Sequence, residues 1–310
     1  MVGKYNTAAG HMDQQISYYS RDLENWEVYR EDGGIPLQNK SGHIVMSQNG
    51  RRVFKGTQLH EWESGQAMLC DTDGNPTRRI AYEPMRLGST MVLEDYFIAI
   101  PESRDEAAMG KFAVSKDGVY YTMLDIPDVK YNRNGIATQL YRVFLLTDGR
   151  IAFNTLGQDA ESGYWISEYL VCSIEELDAA IQESDVYVQV NDVVLGFSVP
   201  PVTEDDRTLV PMRFLFEQLG AEVSWDETTN TATATIPPEK DEKLRTAANA
   251  KSVSFSIDNT AATVNGVAAA MDVPARLVDD KTMVPLRFLS KNLGYTVTWN
   301  EANNTAVISK

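Results

Sequence analysis

The chain has 310 residues, 43% hydrophobic and 23% charged, with a formal net charge of -16, a length that favours two or three domains. From Asp185 onward there are 17 acidic and 11 basic residues, a net of -6, which leaves -10 for the first 184. Neither part holds a Lys/Arg cluster, so nucleic acid and anionic lipid surfaces are not expected as partners, because binding either depends on clustered cations. No apolar run approaches the ~18–20 residues of a membrane span, and the first 15 residues lack the apolar stretch of a signal peptide. Cys70 and Cys172 are the only cysteines. They allow a disulfide in an oxidising compartment or two buried thiols, and their spacing fits no zinc site.

Residues 1–172 read as an all-β domain. Short runs of Val, Ile, Tyr and Phe are separated by turn dipeptides: Asp73-Gly74, Asp117-Gly118, Asn134-Gly135 and Asp148-Gly149. Met91–Ile100 reads as two short strands, and Tyr141–Phe153 as a hairpin closed by Asp148-Gly149. Such spacing suggests a sandwich, barrel or propeller. Residues 173–185 change character. Ser173 with Glu176 forms a capping box, and Leu177, Ala180 and Ile181 share one helical face, which predicts a connecting helix over about 174–183.

An internal repeat follows. Asp205–Trp225, DDRTLVPMRFLFEQLGAEVSW, returns 74 residues later at Asp279–Trp299 as DDKTMVPLRFLSKNLGYTVTW, with 12 of 21 positions identical. In each copy a proline opens a short helix (Pro211, Pro285) and a glycine closes it (Gly220, Gly294). Met212, Leu215 and Leu219 make one apolar face, repeated by Leu286, Leu289 and Leu293. Helices this short are unstable alone and must lie on a sheet. The flanking segments alternate as strands, so each copy reads as hairpin, helix, hairpin. The expected organisation is 1–172 all-β domain, 173–185 linker, 186–238 first module, 239–251 charged linker and 252–310 second module. The fold class is mainly β with short helices, the C-terminal half α+β.

Three stretches carry resemblances. Ser20-Arg21-Asp22-Leu23-Glu24-Asn25-Trp26 and Ser115-Lys116-Asp117-Gly118-Val119-Tyr120-Tyr121 resemble the Asp-box of sialidase-type β-propellers. That resemblance implies a structural turn held by Ser20 and Asp22, or by Ser115 and Asp117, with Trp26 or Tyr121 packed between strands. About 170 residues would supply roughly four blades of four strands each. Arg207-Thr208-Leu209-Val210-Pro211, Glu217, Leu219-Gly220-Ala221 and Trp225-Asp226, with their second copy, resemble the stalk domains named after the N-terminal domain of copper amine oxidases, over about 186–310. This implies a twisted antiparallel sheet around a short helix, in secreted or cell-surface proteins of Gram-positive bacteria. It implies no copper chemistry: the three His (His11, His43, His60) lie outside the repeat, and residues 186–310 contain neither His nor Cys, the side chains copper prefers. No cofactor is expected.

Trp225, Trp299, Arg213 and Arg287 are the candidate binding residues. Indole rings stack on sugars, and guanidinium groups clamp carboxylates or phosphates. The structural reading weighs more in each case: the tryptophans as core over the helix, and the arginines paired with Asp205-Asp206 or Asp279-Asp280, or with loop carbonyls. Asp71-Thr72-Asp73-Gly74-Asn75 begins like a calcium loop, but position twelve is Tyr82 and not Glu, so a turn is expected. Glu102, Asp105 and Glu106 read as an acidic surface loop. No phosphate loop, nucleophile elbow or Cys/His pair is present. The expected function is a non-catalytic extracellular or cell-surface protein whose stalk modules support or tether the N-terminal domain, with cell-wall glycan or another surface protein as the expected contact. The alternative is a sialidase-like, carbohydrate-active or carbohydrate-binding N-terminal domain.

Overall fold

A computed structural model describes residues 2–4, 16–19, 27–28, 35–47, 53–55, 58–60, 66–73, 76–83, 87–101, 109–135, 137–236 and 251–310. Ser20, Asp22, Trp26, Gly74, Asn75, Glu102, Asp105, Glu106 and most of the 239–251 linker lie outside the described residues. The protein is mainly β, with three short helices among those residues. It forms two compact units. Unit 1 comprises Met1–Ala81, Met85–Gly118 and Met123–Ile181; unit 2 comprises Tyr82–Pro84, Val119–Thr122 and Gln182–Lys310. No described helix is long and apolar enough to cross a membrane.

Unit 1 is built mostly from hairpins between sequence neighbours, with the strands Ile44–Ser47 and Gln66–Cys70 pairing across one intervening hairpin. β1 (Val2–Lys4), β2 (Ile16–Tyr19) and β3 (Glu27–Val28) form one sheet. β4 (Ile35–Gln38) and β5 (Ile44–Ser47) precede a separate hairpin of β6 (Val53–Lys55) and β7 (Gln58–His60). β8 (Gln66–Cys70) and β9 (Pro76–Tyr82) then complete the order β9-β8-β5-β4, antiparallel throughout. β10 (Leu87–Leu93), β11 (Tyr96–Pro101), β12 (Lys111–Ser115) and β13 (Thr122–Asp125) make a four-stranded sheet in chain order. The expected hairpin at Asp148-Gly149 joins β14 (Gln139–Leu145) to β15 (Ile151–Gln158), and β16 (Trp165–Cys172) completes a three-stranded sheet.

Alternation along these strands sends every second side chain inward. Tyr96 and Ile98 of β11, Phe112 and Val114 of β12, Ile126, Leu140, and Ile151 and Phe153 of β15 form one core cluster. Phe112 and Phe153 stack tilted at 4.8 Å. Helix α1 (Ile174–Ala180), read from sequence as a connector, adds Leu177 to that cluster. The capping box is formed: the Glu176 amide donates to Ser173 Oγ at 3.1 Å, and the Ser173 amide to the Glu176 carboxylate at 2.8 Å. The helix is further pinned by the Tyr96 hydroxyl, which donates to Asp178 at 2.7 Å, and by Lys116 at 3.0 Å from the same carboxylate. The Tyr96 hydrogen bond, assisted by Lys116, holds the Asp178 carboxyl below the usual carboxylate range. Burial, reinforced by Asp178, pushes the Tyr96 phenol up. Cys70 and Cys172 are not joined in a disulfide.

In unit 2 both copies show the same succession at an offset of 74. Copy one is β17 (Tyr187–Val190), β18 (Val193–Gly196), β19 (Val202–Glu204), β20 (Arg207–Pro211), α2 (Met212–Gln218), β21 (Glu222–Asp226) and β22 (Thr231–Ile236). An additional strand, β23 (Lys251–Ser256), leads into copy two. Copy two is β24 (Ala261–Val264), β25 (Val267–Ala270), β26 (Arg276–Val278), β27 (Lys281–Pro285), α3 (Leu286–Asn292), β28 (Thr296–Asn300) and β29 (Thr305–Ser309). Gly220 (φ 80) and Gly294 (φ 86) close the helices in the left-handed conformation that glycine takes cheaply. Asp205-Asp206 and Asp279-Asp280 turn their hairpins with both residues at positive φ, the geometry of a two-residue connection.

The copies do not keep their strands to themselves. β17 of copy one lies parallel to β29, the last strand of copy two, giving the order β28-β29-β17-β18. β21 and β22 of copy one continue through β23 into β24 and β25 of copy two. The two copies meet directly at β20 and β27, where Val210 pairs with Val284. These are equivalent positions, 74 apart, facing each other in an antiparallel pair, which is the signature of a local two-fold axis. A core cluster beside that axis consists of two equivalent pairs, Val199 with Val273 and Leu209 with Met283. Helix α2 buries Met212, Phe214, Leu215 and Phe216, a wider apolar face than the three residues of its sequence pattern. Phe214 meets Phe197 edge-on at 5.9 Å.

The outer face of the β22–β23 pair is a polar ladder. Thr231 and Thr233 bond Ser256 and Ser254 at 3.2 and 2.9 Å, while Ala232, Ala234, Val253 and Phe255 are buried on the other face.

Candidate functional site

The outward face of the β14–β16 sheet carries the largest group of exposed aromatic side chains in unit 1 among the described residues. Its origin is the two-residue period of β15. Ile151 and Phe153 enter the core, so Ala152 and Asn154 face the other way. The register sets Ala152 between Phe144 and Val171, and Asn154 between Arg142 and Tyr169. A bulge between Leu140 and Arg142 leaves Tyr141 unpaired beside this row. Two-residue steps along β16 place Trp165, Ser167, Tyr169 and Val171 on the same face, with Trp165 and Tyr169 ~14 Å apart along the strand.

The rings lie on the sheet and still face water. Phe144 and Tyr169 pack edge-on at 5.9 Å. Beneath them Ala152 and Asn154 are buried, while Tyr169 is 62% and Trp165 66% exposed. Asn154 Nδ2 donates to Ser167 Oγ at 2.7 Å and to the Glu168 carbonyl at 3.1 Å, which fixes the floor of the surface. The Arg142 guanidinium sits 5.0 Å from the centroid of the Tyr141 ring. None of the residues that the register places on this face is acidic, in a chain of net charge -16. Exposed rings with hydroxyl or indole N–H tips offer an apolar face and a hydrogen bond at the edge, the combination that suits sugar rings.

Reading the sequence missed this face, because Tyr141, Phe144, Trp165 and Tyr169 look like ordinary strand residues. The missed signal was that Phe144, Tyr169 and Val171 share the parity opposite to the core residues Ile151 and Phe153 across the paired strands.

The sequence candidates are placed differently from the structural reading given them. Trp225 and Trp299 are 39% and 44% exposed, not core residues. They sit on β21 and β28, each the outermost strand of its sheet, and a seven-residue helix of ~10 Å leaves that rim partly uncovered. Arg213 and Arg287 are exposed, and among the described residues neither forms an ion pair with the acidic turns. The reason is reach: the five residues of β20 separate Asp206 from the helix start, a span of ~17 Å. Asp279 instead accepts from Gln182 at 2.6 Å, and Arg207 pairs with Asp272 at 2.7 Å. Among the described residues no hydrogen bond or cation–π contact joins Arg213 to Trp225, or Arg287 to Trp299.

At the described turn of the first unit, Ser115 Oγ donates to Asp117 at 2.9 Å and accepts from the Gly118 amide at 2.9 Å. Tyr121, assigned to unit 2, is buried, with its ring edge-on to Tyr82 at 5.5 Å. Asp71 accepts from the Asp73 amide at 3.0 Å, as a turn does. Among the described residues no three His, Cys, Asp or Glu side chains converge as a metal site.

No curated protein and no solved structure gives a match to this chain. Residues 189–308, which span both interlocked copies, match the family model of the copper amine oxidase N-terminal domain, a non-catalytic domain, and it is this segment of the chain that is similar to that family.

Proposed function

We propose that this is a non-catalytic bacterial protein of the cell surface or the secreted fraction, in which the interlocked C-terminal unit is a rigid support and the first unit contacts cell-wall glycan. The observation that carries the reading is the acid-free aromatic face of β14–β16. Phe144 and Tyr169 pack against each other over a strand pair that the Asn154 hydrogen bonds fix, so these two rings lose little side-chain freedom on binding. The similarity of residues 189–308 to a non-catalytic domain supports the support role. Copper has no part in this reading, since residues 186–310 lack His and Cys. Surface proteins are the other partners this role would serve.

The second reading is a carbohydrate-active, propeller-like first unit. It is favoured by the four-stranded sheet β10-β11-β12-β13 in chain order, the form of a propeller blade, and by the Ser115–Gly118 turn.

Peptidoglycan pull-down and a glycan array on the whole chain test both readings. The expected result is retention by the wild type and at least a tenfold loss in Trp165→Ala and Tyr169→Ala, with unchanged circular dichroism. Absence of retention by the wild type, or retention indifferent to both substitutions, overturns the glycan reading. Hydrolysis of any glycan in the panel overturns the non-catalytic one.

A further inference from the structure

The local two-fold of unit 2 makes β18 and β25 equivalent strands, Val193–Gly196 and Val267–Ala270. Their surroundings differ sharply. Val194, Leu195 and Gly196 are buried, whereas Val267, Ala268 and Ala270 are exposed, Val267 at 68%. The ladder explains what each strand presents outward. Val267 flanks the two-residue turn Asn265-Gly266, both at positive φ, and pairs with Val264. Its backbone groups therefore point inward to β24, and those of Ala269 and Met271 do likewise. The Met271 amide donates to the Thr260 carbonyl at 2.8 Å, which confirms the parity. Ala268 and Ala270 then aim their N–H and C=O away from the sheet.

In β18 the equivalent outward residues are Val194 and Gly196. There the Gly196 carbonyl accepts the Glu83 amide at 2.9 Å. A Cβ at Gly196 would come within 2.5 Å of the Tyr82 ring and of the Val119 carbonyl, so an earlier extended piece of the chain, also part of unit 2, lies tightly on that edge. The equivalent edge at Ala268 and Ala270 has no backbone partner among the described residues. It also lacks the devices that blunt exposed edges, since Asn259–Met271 carries no charge and no proline.

We propose that the β25 edge is a docking site for an extended polypeptide segment of a partner protein, added as a sixth strand to the sheet β21-β22-β23-β24-β25. A second copy of this chain is the poorer occupant. Two four-residue strands bury far less than the ~1,200 Å² that a stable dimer needs, whereas an extended segment gains main-chain hydrogen bonds at once and continues over neighbouring surface. The chemistry of the partner follows from the comparison with β18. Ala270 stands where Gly196 admits a tyrosine ring, so its Cβ fills that space. The docking segment must present Gly, Ala or Ser opposite Ala270. This inference is independent of the glycan reading, which concerns another unit.

The test uses the whole chain, 15N-labelled, and a synthetic peptide copying residues 78–86 with the change Tyr82→Ala, alongside the unchanged peptide. The expected result is a saturable shift of the Ala268 and Ala270 amides with the changed peptide and a response at least fivefold weaker with the tyrosine peptide. Ala268→Pro removes one outward N–H without touching the β24 ladder, and should abolish the shift with circular dichroism unchanged. Ala270→Pro removes the other and serves as the second variant. No shift in the wild type, or an undiminished shift in both proline variants, overturns the proposal. Concentration-dependent dimerisation of the wild type that Ala268→Pro abolishes overturns it in favour of a second copy.

Discussion

Unit 1 and unit 2 are both mostly antiparallel sheet, yet they connect it in opposite ways. In unit 1 the sheets β10–β13 and β14–β16 join strands that are neighbours in sequence, so each hairpin brings its own partner. In unit 2 the decisive pairs are β17 with β29 and β20 with β27, strands separated by most of the repeat or more. A copy of the repeat therefore cannot complete a sheet alone. The difference teaches that a tandem repeat in sequence need not be a tandem of modules in space. Here the two copies share one core, and its stability is a joint property.

The largest expected effect comes from removing copy two. A chain ending at residue 250 loses the partners of β17, β20 and β22 together and leaves Leu209 without Met283. We expect copy one to be unfolded as a monomer, read by amide exchange, or folded only as a dimer in which β20 pairs with its own symmetry mate. A folded monomeric copy would break the comparison.

A core truncation sharpens it. Leu209→Ala should cost about 2–5 kcal/mol and speed exchange in β17–β29 of both copies alike. Phe153→Ala in unit 1 should cost about 3–5 kcal/mol and be felt in β10–β16. Exchange confined to copy one after Leu209→Ala would show that the copies are uncoupled.

The smallest effect is the pH response of the α1 tether. The Asp178 carboxyl lies below its ordinary value, first through the Tyr96 hydrogen bond and then through Lys116. A depressed folded pKa stabilises fully above the unfolded value of about 4, and that contribution is lost as pH falls through the lower folded value. Thermal melts of Asp178→Asn should therefore be less stable than wild type at neutral pH and converge with it at acid pH. A constant difference across that range would assign the loss to packing.

Much of the local structure was legible from residues alone. Ser173 and Glu176 announced a helix start, Pro211 and Gly220 bracketed another, and Asp148-Gly149 marked a hairpin. Each is a short-range signal, because it depends on backbone preferences of a few adjacent residues. The aromatic face was not legible. Whether Tyr169 or Leu170 points to water depends on which face of β15 the core occupies, and that is set by Leu177, Phe112 and other residues far away in sequence.

The sequence by itself determined the elements of this protein, their order and the 74-residue equivalence of the two copies. Tertiary structure decided the partners. Alternating hydrophobicity says that a strand has one apolar face, but the hydrogen bonds along its edge are the same for any partner. Only the joint burial of Val199, Leu209, Val273 and Met283 selects the exchange between copies. The same decision left Trp225 and Trp299 on outer strands at the rim, half in water, where the repeat alone pointed to a core.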